Sequence, residues 1–429
     1  YDRALALCPD WAEAWLNRGH ALEQGGQTEA ALSCYQSALA LRPGWPQALA
    51  NRGSALYALE RFEPALAAFD QAIAAAPDQA DFYYNRGLVH YAQGALTAAV
   101  ADYDRALALR PDYGEAGLNR AISLLSAGDL GRGWEAFEWR WRIEPQASRV
   151  RPPFPPRWNG ETPLSGRRIL IYSEQGYGDT LQMCRYVPRL AAQGARVVLE
   201  VEAELTSLLA GLDGVAAVVA KGDPLPPFDC HCPVLSLPRA FGTTLDTIPA
   251  PPAYLAADPA RVAAWRQRLG PASGPRVGLA WSGNPAHRND RNRSLAPALL
   301  APLLDGRIDA VALQKEIRPA DRPILATLPG LRHFGDVVRD FADTAALCAL
   351  CDLVISVDTS VAHLAGALGR PTWILLPAKS CDWRWLTDRA DLPWYPTATL
   401  YRQQRGEAWA AVIERVGAAL DRMLSRSPA

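Results

Sequence analysis

Residues 354–369, VISVDTSVAHLAGALG, set the architecture of the second half of the chain. The first four residues are mainly apolar and β-branched, which is typical of a buried parallel strand. A polar turn follows, in which Thr359 or Ser360 is expected to cap a helix of small residues that ends near Gly369. Such a helix start presents unpaired N–H groups and the positive end of a dipole, so the stretch predicts an anion site. The alternative is an ordinary βαβ turn without a ligand.

Strands and helices alternate from residue 168 to the end of the chain. Short apolar runs predict strands over 168–173, 196–201, 215–220, 277–281, 310–313, 353–357 and 373–376. This alternation indicates parallel sheets. Because a proline-rich stretch separates the first three strands from the others, we expect two Rossmann-like lobes, 168–250 and 251–429, facing a ligand cleft. Four prolines between residues 152 and 156 favour a semi-rigid linker over 146–167.

The first 145 residues repeat with a period of 34. Proline recurs at positions 9, 43, 77 and 111, and Asn-Arg-Gly or Asn-Arg-Ala begins at 17, 51, 85 and 119. Aromatic residues keep the register at Tyr35, Phe69 and Tyr103. This pattern resembles the tetratricopeptide repeat (TPR), in which two antiparallel helices form each unit. Residues 1–145 are therefore predicted to be an all-α TPR solenoid.

Four asparagines occupy one position of the repeat, namely Asn17, Asn51, Asn85 and Asn119. In this repeat family the position lies on the concave wall, and an amide offers one acceptor and two donors. The resemblance therefore implies that these side chains hold an extended polypeptide by its backbone. The alternative is that each amide bonds the backbone of a neighbouring repeat.

Composition limits the other partners. The net charge of −1 over 429 residues gives no reason to expect a nucleic-acid partner, and no apolar run is long enough to span a bilayer. Eight cysteines in this length do not indicate a disulfide scaffold, so we expect a reduced, cytoplasmic protein. The groups Cys230-His231-Cys232 and Cys348 with Cys351 are interpreted as small buried residues, and no metal site is predicted.

Four loops follow predicted strand ends and are expected to meet at the cleft. After the first strand come Gly176, Gly178 and the carboxylate of Asp179. The second lobe adds hydroxyl, amide, ammonium and imidazole groups at Ser282, Gly283, Asn284, Gln314, Lys315, Asp358, Thr359, Ser360 and His363. Glycines, a lysine, hydroxyls and a helix N-terminus are suited to a diphosphate. The Gly-x-x-x-x-Gly-Lys-Ser/Thr motif of nucleoside triphosphatases does not occur.

The sequence Gly178-Asp179, the lysine at position 315 and Asp358-Thr359-Ser360-x-x-His363 together resemble the bacterial heptosyltransferase superfamily. Ser360 stands where that family usually has glycine. The resemblance covers about residues 168 to 415 and implies the two-lobed GT-B glycosyltransferase fold. With repeats in front, the chain looks like bacterial TPR proteins that carry such a domain, and its architecture is similar to that of protein O-GlcNAc transferases.

The resemblance implies roles for these residues. Asp179 would be the general base of an inverting transfer, although an aspartate here could equally be the N-cap of the next helix. Lys315, Thr359, Ser360 and the helix N-terminus would stabilise the departing diphosphate without a metal. His363 would reach the same phosphates or be a packed core histidine. Asp358 would hold a ribose or sugar hydroxyl, or brace its loop.

The predicted function is a glycosyltransferase that moves a sugar from a nucleotide-diphosphate sugar, its co-substrate, to a hydroxyl of a protein held by the repeats. No cofactor is predicted. One alternative is a non-catalytic TPR interaction protein whose glycosyltransferase domain is degenerate. Another is a glycosyltransferase that acts on a glycan or a lipid-linked acceptor. Fold alone does not separate these functions.

Overall fold

The computed structural model describes residues 1–143, 155–287, 289–328, 330–379, 381–387 and 389–426, the last without its side chain. The chain divides into two compact units, residues 1–150 and 151–429. Residues 146–154 of the predicted linker lie outside the described residues, and so does Arg288. Within the described part of the linker, the N–H of Trp158 donates to the carbonyl oxygen of His231 at 2.8 Å.

The first unit consists of antiparallel helix pairs, as the 34-residue period predicts. Its helices are α1 (Asp2–Leu7), α2 (Ala12–Gln24), α3 (Thr28–Leu41), α4 (Pro46–Ala58), α5 (Phe62–Ala75), α6 (Ala80–Gln93), α7 (Leu96–Leu109), α8 (Gly114–Ser126) and α9 (Leu130–Phe137). In three of the pairs, α2/α3, α4/α5 and α6/α7, a glycine of the first helix meets an aromatic ring of the second. A Cβ at Gly53 would lie 2.9 Å from Phe69, and one at Gly87 would lie 2.6 Å from Tyr103. The repeated glycine and aromatic positions therefore set the helix crossing.

The second unit begins with a four-stranded parallel sheet whose strand order is β3-β2-β1-β4. Its elements are β1 (Arg168–Tyr172), α10 (Tyr177–Met183), α11 (Val187–Ala192), β2 (Arg196–Val201), α12 (Ala203–Leu209), β3 (Val215–Ala220), β4 (Cys230–Pro233) and α13 (Leu237–Ala240). The first three of these strands were predicted from the sequence, whereas β4 was not. Cys230 and Cys232 are buried in β4, which agrees with their interpretation as small core residues.

A six-stranded parallel sheet follows, in the order β10-β9-β8-β5-β6-β7. Its elements are α14 (Pro259–Leu269), β5 (Arg276–Ala280), α15 (Asp290–Arg293), β6 (Asp309–Ala312), α16 (Arg322–Leu325), β7 (Arg332–His333), α17 (Phe341–Ala349), β8 (Leu353–Val357), α18 (Ser360–Ala367), β9 (Thr372–Leu376), β10 (Ala398–Arg402) and α19 (Trp409–Arg426). A TPR-like helical region thus precedes an α/β region with two Rossmann-like parallel sheets, which confirms the predicted fold class.

The larger sheet is packed between helices. Val277 and Leu279 of β5, together with Ile355 of β8, lie in one apolar core with Val412 and Ile413 of α19. Burying such side chains stabilises the fold by about 1.5–3 kcal/mol each. In register, Ala280 pairs with Ser356, so the loops that follow β5 and β8 leave the sheet at the same edge. That edge carries the candidate site.

None of the helices in the described part of the chain combines the length and the hydropathy that a bilayer crossing requires.

Candidate functional site

The stretch at residues 354–369 folds as predicted into a strand, a turn and a helix. β8 is buried along its whole length, and Thr359 occupies the N-cap position of α18. The Thr359 hydroxyl does not cap the helix, because it bonds the Ser356 hydroxyl at 3.2 Å. Among the described residues, none accepts a hydrogen bond from the N–H groups of Ser360 or Val361. These two donors, at the positive end of the helix dipole, are the groups that an anion would use.

His363 lies in the second turn of α18 and packs against α10 of the smaller-sheet lobe. A Cβ at Gly178 would lie 2.7 Å from the Cδ2 atom of His363. The imidazole stacks on Trp385, with ring centroids 5.1 Å apart, and its Nδ1 shares a hydrogen bond of 2.9 Å with the Tyr395 hydroxyl. Burial lowers the pKa of His363 well below its usual value, and Arg384 lowers it further. The side chain is therefore a packed, neutral imidazole, and its contact with phosphate stays a prediction.

Asp179 is the third residue of α10. One carboxylate oxygen accepts a hydrogen bond of 2.7 Å from the N–H of Gly176, the N-cap residue. The other accepts from the Arg384 guanidinium. Burial raises the pKa of Asp179, Arg384 lowers it and Asp382 raises it. Asp179 thus supports the helix start from inside the first turn rather than as the N-cap, and its role as a base stays a prediction.

Arg384 was not predicted as a site residue. It lies in the 3₁₀ turn Trp383–Trp385, with 7% of its side chain exposed. Its Nη1 donates to both oxygens of Asp382, at 3.0 and 2.9 Å, and its Nε donates to Gln182 of α10 at 2.6 Å. The tryptophans on either side of it, Trp383 and Trp385, are both buried. The signal available in the sequence was an arginine between two tryptophans, since an arginine in an apolar setting usually has a partner.

Arg293 is a second cation that was not predicted. It ends α15, in the basic loop after β5, and 12% of its side chain is exposed. Its Nη1 donates to the carbonyl oxygen of Asp358 at 2.8 Å, directly beside the start of α18. A Cβ at Gly283 would lie 2.6 Å from its guanidinium. Gly283 therefore lets the chain pass close to Arg293.

Several of the predicted donor-binding groups bond one another. The Gln314 Oε1 accepts from the N–H of Ser282 at 3.1 Å, and its Nε2 donates to the Ser282 hydroxyl at 2.5 Å. The N–H of Gly283 donates to the Ser294 hydroxyl at 3.2 Å. The Asn284 side chain is exposed and accepts from the N–H of Ala286 at 2.9 Å. These contacts order the loop after β5.

Lys315 has its hydrogen-bond partner outside the set of predicted phosphate-binding residues. It is exposed, and its Nζ donates to the carbonyl oxygen of Arg339 at 2.9 Å. The cation that bonds the carbonyl oxygen of Asp358 is Arg293 and not Lys315. The lysine follows β6 in sequence, as predicted, but its long flexible side chain is directed to the segment before α17.

Two aspartates lie at the start of α17, and they have different roles. Asp340 caps α17 by accepting from the N–H groups of Ala342 and Asp343, each at 3.1 Å. Asp343 lies inside the first turn and pairs with Arg261 and Arg339, each at 3.0 Å.

Asp358 is 9% exposed. Burial raises its pKa to about 6, with a further increase from Asp382, while Arg293 lowers it. A carboxyl that is partly protonated near neutral pH repels an anionic ligand less than an ionised one.

The four asparagines of the solenoid lie within the first helices of consecutive repeats, α2, α4, α6 and α8. The Asn51 amide contacts the His20 ring nitrogen at 3.2 Å, and the Asn119 amide donates to the Tyr84 hydroxyl at 3.1 Å. Asn17 is exposed and Asn85 is half-buried. The hydrogen bonds of Asn51 and Asn119 link neighbouring first helices through side chains rather than through repeat backbone. The surface that these helices share is where a peptide is predicted to bind.

The chain matches two family models described as tetratricopeptide repeat, over residues 12–44 and 50–114. Residues 339–382 match the model described as glycosyltransferase family 9 (heptosyltransferase). This match spans the helix α17, the stretch at 354–369 and Asp382. It does not include Asp179 or Arg293.

Among curated proteins, the chain is similar to Protein FlbA of Caulobacter vibrioides, with 31% identity over 329 residues. The alignment covers 70% of this chain and 54% of FlbA, so the chain spans about half the length of this relative. The chain therefore combines tetratricopeptide repeats with a glycosyltransferase-like α/β domain.

Solved structures of TPR proteins are also similar to part of the chain. The crystal structure of MamA has 22% identity and a TM-score of 0.33, and covers 35% of this chain and 88% of its own. YrrB, described as a TPR protein with an unusual peptide-binding site, has 23% identity and a TM-score of 0.31, with coverages of 34% and 74%.

Proposed function

We propose that the α/β unit transfers a sugar from a nucleotide sugar to a hydroxyl group of a polypeptide that the TPR solenoid holds. The observation that carries the proposal is the start of α18. Two N–H donors, of Ser360 and Val361, lie there beside the Arg293 guanidinium. The family 9 match includes this helix start.

The donor diphosphate would bind at this helix start. Backbone N–H groups and a helix dipole favour phosphate oxygens, and a guanidinium adds charge-assisted hydrogen bonds. The negative charge of the diphosphate grows as it leaves the sugar. Fixed positive groups therefore stabilise the transition state more than the ground state. Arg293 and α18 supply these groups from the protein itself, so the proposed reaction uses no metal.

Asp179 would act from the opposite lobe as the general base. Its carboxylate accepts the proton of the acceptor hydroxyl while the hydroxyl oxygen forms a bond to the anomeric carbon. The bond from that carbon to the diphosphate breaks on the opposite face, so the configuration inverts. A base of this kind typically contributes about 100- to 10,000-fold in rate.

The polypeptide would lie along the first helices of the repeats. Asn17, Asn51, Asn85 and Asn119 are spaced by one repeat, and an amide can bond to an extended backbone irrespective of its sequence. Side-chain partners such as His20 and Tyr84 hold two of the amides in place. An extended peptide could therefore meet several amides that are already ordered.

A second candidate function is favoured by the Asp179–Arg384 ion pair. A buried ion pair between a carboxylate and an arginine can also have a purely structural role, in which it joins two parts of a fold. In this alternative the α/β unit no longer catalyses transfer, and the repeats bind a partner protein. The two functions differ in whether the unit binds and turns over a nucleotide sugar.

The test begins with calorimetry on the full chain, using UDP, ADP, GDP and TDP, with CMP as an outgroup. Selective binding of one nucleotide names the donor class. The corresponding sugar nucleotide is then supplied with candidate acceptor proteins, and transfer is followed by intact mass. We expect Asp179→Asn to reduce transfer by about 100- to 10,000-fold while nucleotide binding persists. Binding of none of the nucleotides would favour the interaction protein.

Acceptor binding is tested with a variant in which all four asparagines are replaced by alanine. We expect this variant to bind the nucleotide like wild type and to modify the acceptor protein more slowly. Unchanged protein modification would remove the asparagines from acceptor binding. The nucleotide measurement on the same variant controls for folding of the α/β unit.

A further inference from the structure

The proposed base has an ionic partner that comes from the other lobe of the α/β unit. Asp179 lies on α10, the helix that follows β1 of the smaller sheet. Arg384 lies in the turn after β9 of the larger sheet. The Nη2 of Arg384 donates to one oxygen of Asp179, and the N–H of Gly176 donates to the other at 2.7 Å. With both oxygens engaged, the plane of the carboxylate is fixed.

Arg384 is itself held in place on three sides. Its Nη1 bonds both oxygens of Asp382, at 3.0 and 2.9 Å, and its Nε bonds the Gln182 side chain at 2.6 Å. The guanidinium also lies 4.2 Å from the centre of the Trp383 ring. A buried guanidinium with this many partners cannot turn without breaking charge-assisted hydrogen bonds.

We propose that Arg384 is a positioning residue that holds the Asp179 carboxylate in one orientation and opposes its protonation. This inference rests on the proposed function, in which Asp179 accepts the proton of the acceptor hydroxyl. Burial alone favours the protonated carboxyl, which cannot accept a proton. The positive charge of Arg384 opposes that effect from a fixed distance.

The charged and titratable groups around Asp179 come from three elements. Arg384 lowers the pKa of Asp179 against the effect of burial, and Asp382 raises it. His287, in the loop after β5, has a pKa lowered by burial and Arg293 and raised by Asp382, Asp290 and Asp179. His363, behind Gly178, has a pKa lowered well below its usual value by burial and stays neutral. Arg384 is therefore the cation that Asp179 contacts directly.

This arrangement gives two substitutions with opposite expected effects. Arg384→Gln removes the cation, so the pKa of Asp179 should rise. Asp382→Asn removes a competing anion and retains an oxygen that can accept from the N–H of Arg384, a bond of 2.9 Å in wild type. The pKa of Asp179 should then fall. Arg384→Lys keeps the charge and should restore a value close to that of wild type.

The experiment is a pH titration of the full chain with carbon-13 at the aspartate side-chain carboxyls, followed by NMR. Asp179→Asn assigns the resonance of Asp179 by its absence. An upward change in Arg384→Gln, with a downward change in Asp382→Asn, would support the inference. An unchanged pKa of Asp179 in Arg384→Gln would overturn it. If Arg384→Gln fails to fold, Arg384→Met, which also removes the charge, takes its place.

Transfer kinetics provide a separate readout. The acidic limb of the kcat/KM profile should move to higher pH in Arg384→Gln and to lower pH in Asp382→Asn. If the wild-type chain transfers no sugar from any nucleotide sugar, the proposed function fails. The titration still decides whether Arg384 controls the ionisation of Asp179, so the two failures are distinguishable.

Discussion

Gly178 and His363 are in such close contact that a Cβ at position 178 would stand 2.7 Å from the Cδ2 of the imidazole. The two residues belong to different lobes of the α/β unit, on α10 and α18. The ring has little room to retreat, because Trp385 stacks on it and the Tyr395 hydroxyl bonds its Nδ1 at 2.9 Å. The glycine therefore sets how closely the two helices that bear the proposed base and the proposed anion site approach.

Gly178→Ala should destabilise the α/β unit by about 1–3 kcal/mol, the usual cost of overpacking a core. Gly176→Ala is the matched control two residues away. Its Cβ would be 3.4 Å from a carboxylate oxygen of Asp179, an ordinary contact distance, so we expect a loss below about 1 kcal/mol. The measurement is urea unfolding of both full-length variants. Equal losses would mean that the contact between the helices is not tightly packed.

Arg293, rather than Lys315, should determine nucleotide affinity. Arg293 contacts the carbonyl oxygen of Asp358 beside the start of α18, whereas the Lys315 ammonium bonds Arg339. A hydrogen bond to a charged group contributes about 1.5–3 kcal/mol. Arg293→Gln should therefore weaken binding of the selected nucleoside diphosphate by about 10- to 150-fold.

Lys315→Gln is the control for this measurement by calorimetry. We expect less than about a twofold change, because the structure does not direct this side chain to the helix start. A larger loss in Lys315→Gln than in Arg293→Gln would reinstate the assignment that the sequence suggests.

The difference between these two cations illustrates what the sequence could and could not provide. Lys315 was chosen because it follows a predicted strand, and that strand exists as β6. Which cation reaches α18 depends on the path of the loop after β5, and no local pattern encodes that path. The role of Arg384 is even less accessible from the sequence, because its partner Gln182 lies 202 residues earlier in the chain.

The fold was more accessible than the site, for physical reasons. β1, β2 and β8 consist mainly of apolar residues, because a parallel strand is covered on both faces. β4 was missed because its four residues, Cys230–Pro233, contain a histidine and a proline. The solenoid was evident because glycines such as Gly53 must recur wherever an aromatic ring crosses the helix.

Asp358 should make the α/β unit less stable as the pH rises. Its pKa in the folded chain is raised to about 6 by burial and Asp382, above the unfolded value of about 3.9. The folded state therefore retains a proton that the unfolded state loses. The corresponding stabilisation is complete below about pH 4 and is lost as the pH rises through about 6.

Asp358→Asn mimics the protonated carboxyl, so it should equal wild type near about pH 4 and exceed it by up to about 3 kcal/mol above about pH 7. The measurement is the free energy of unfolding in urea across this range. Asp223→Asn, an exposed residue in the turn after β3, controls for the change in net charge. A difference between wild type and Asp358→Asn that does not vary with pH would contradict the raised pKa.

Arg86 and Arg52 occupy the same position of successive repeats but have different neighbours. Three arginines of this series bond an aspartate located 16 residues earlier, in the pairs Arg18–Asp2, Arg86–Asp70 and Arg120–Asp104. Arg86 also bonds both oxygens of Asp102, at 2.9 and 2.6 Å, and Asp102 is 5% exposed. The residue 16 positions before Arg52 is Gln36, where the other three repeats have an aspartate.

Arg86→Ala should therefore destabilise the solenoid much more than Arg52→Ala. Removing Arg86 leaves the buried Asp102 carboxylate with the His90 imidazole, 3.7 Å away, as its remaining partner for an ion pair among the described residues, at a cost of about 3 kcal/mol. Within the described part of the chain, the Arg52 Nε has no hydrogen-bond partner, and Nη2 bonds Gln71 at 3.1 Å. Burial already lowers the pKa of Arg52, so its removal should change stability by less than about 1 kcal/mol. Thermal unfolding of the two full-length variants by circular dichroism measures the difference, and similar losses would show that the acidic partners of Arg86 contribute little.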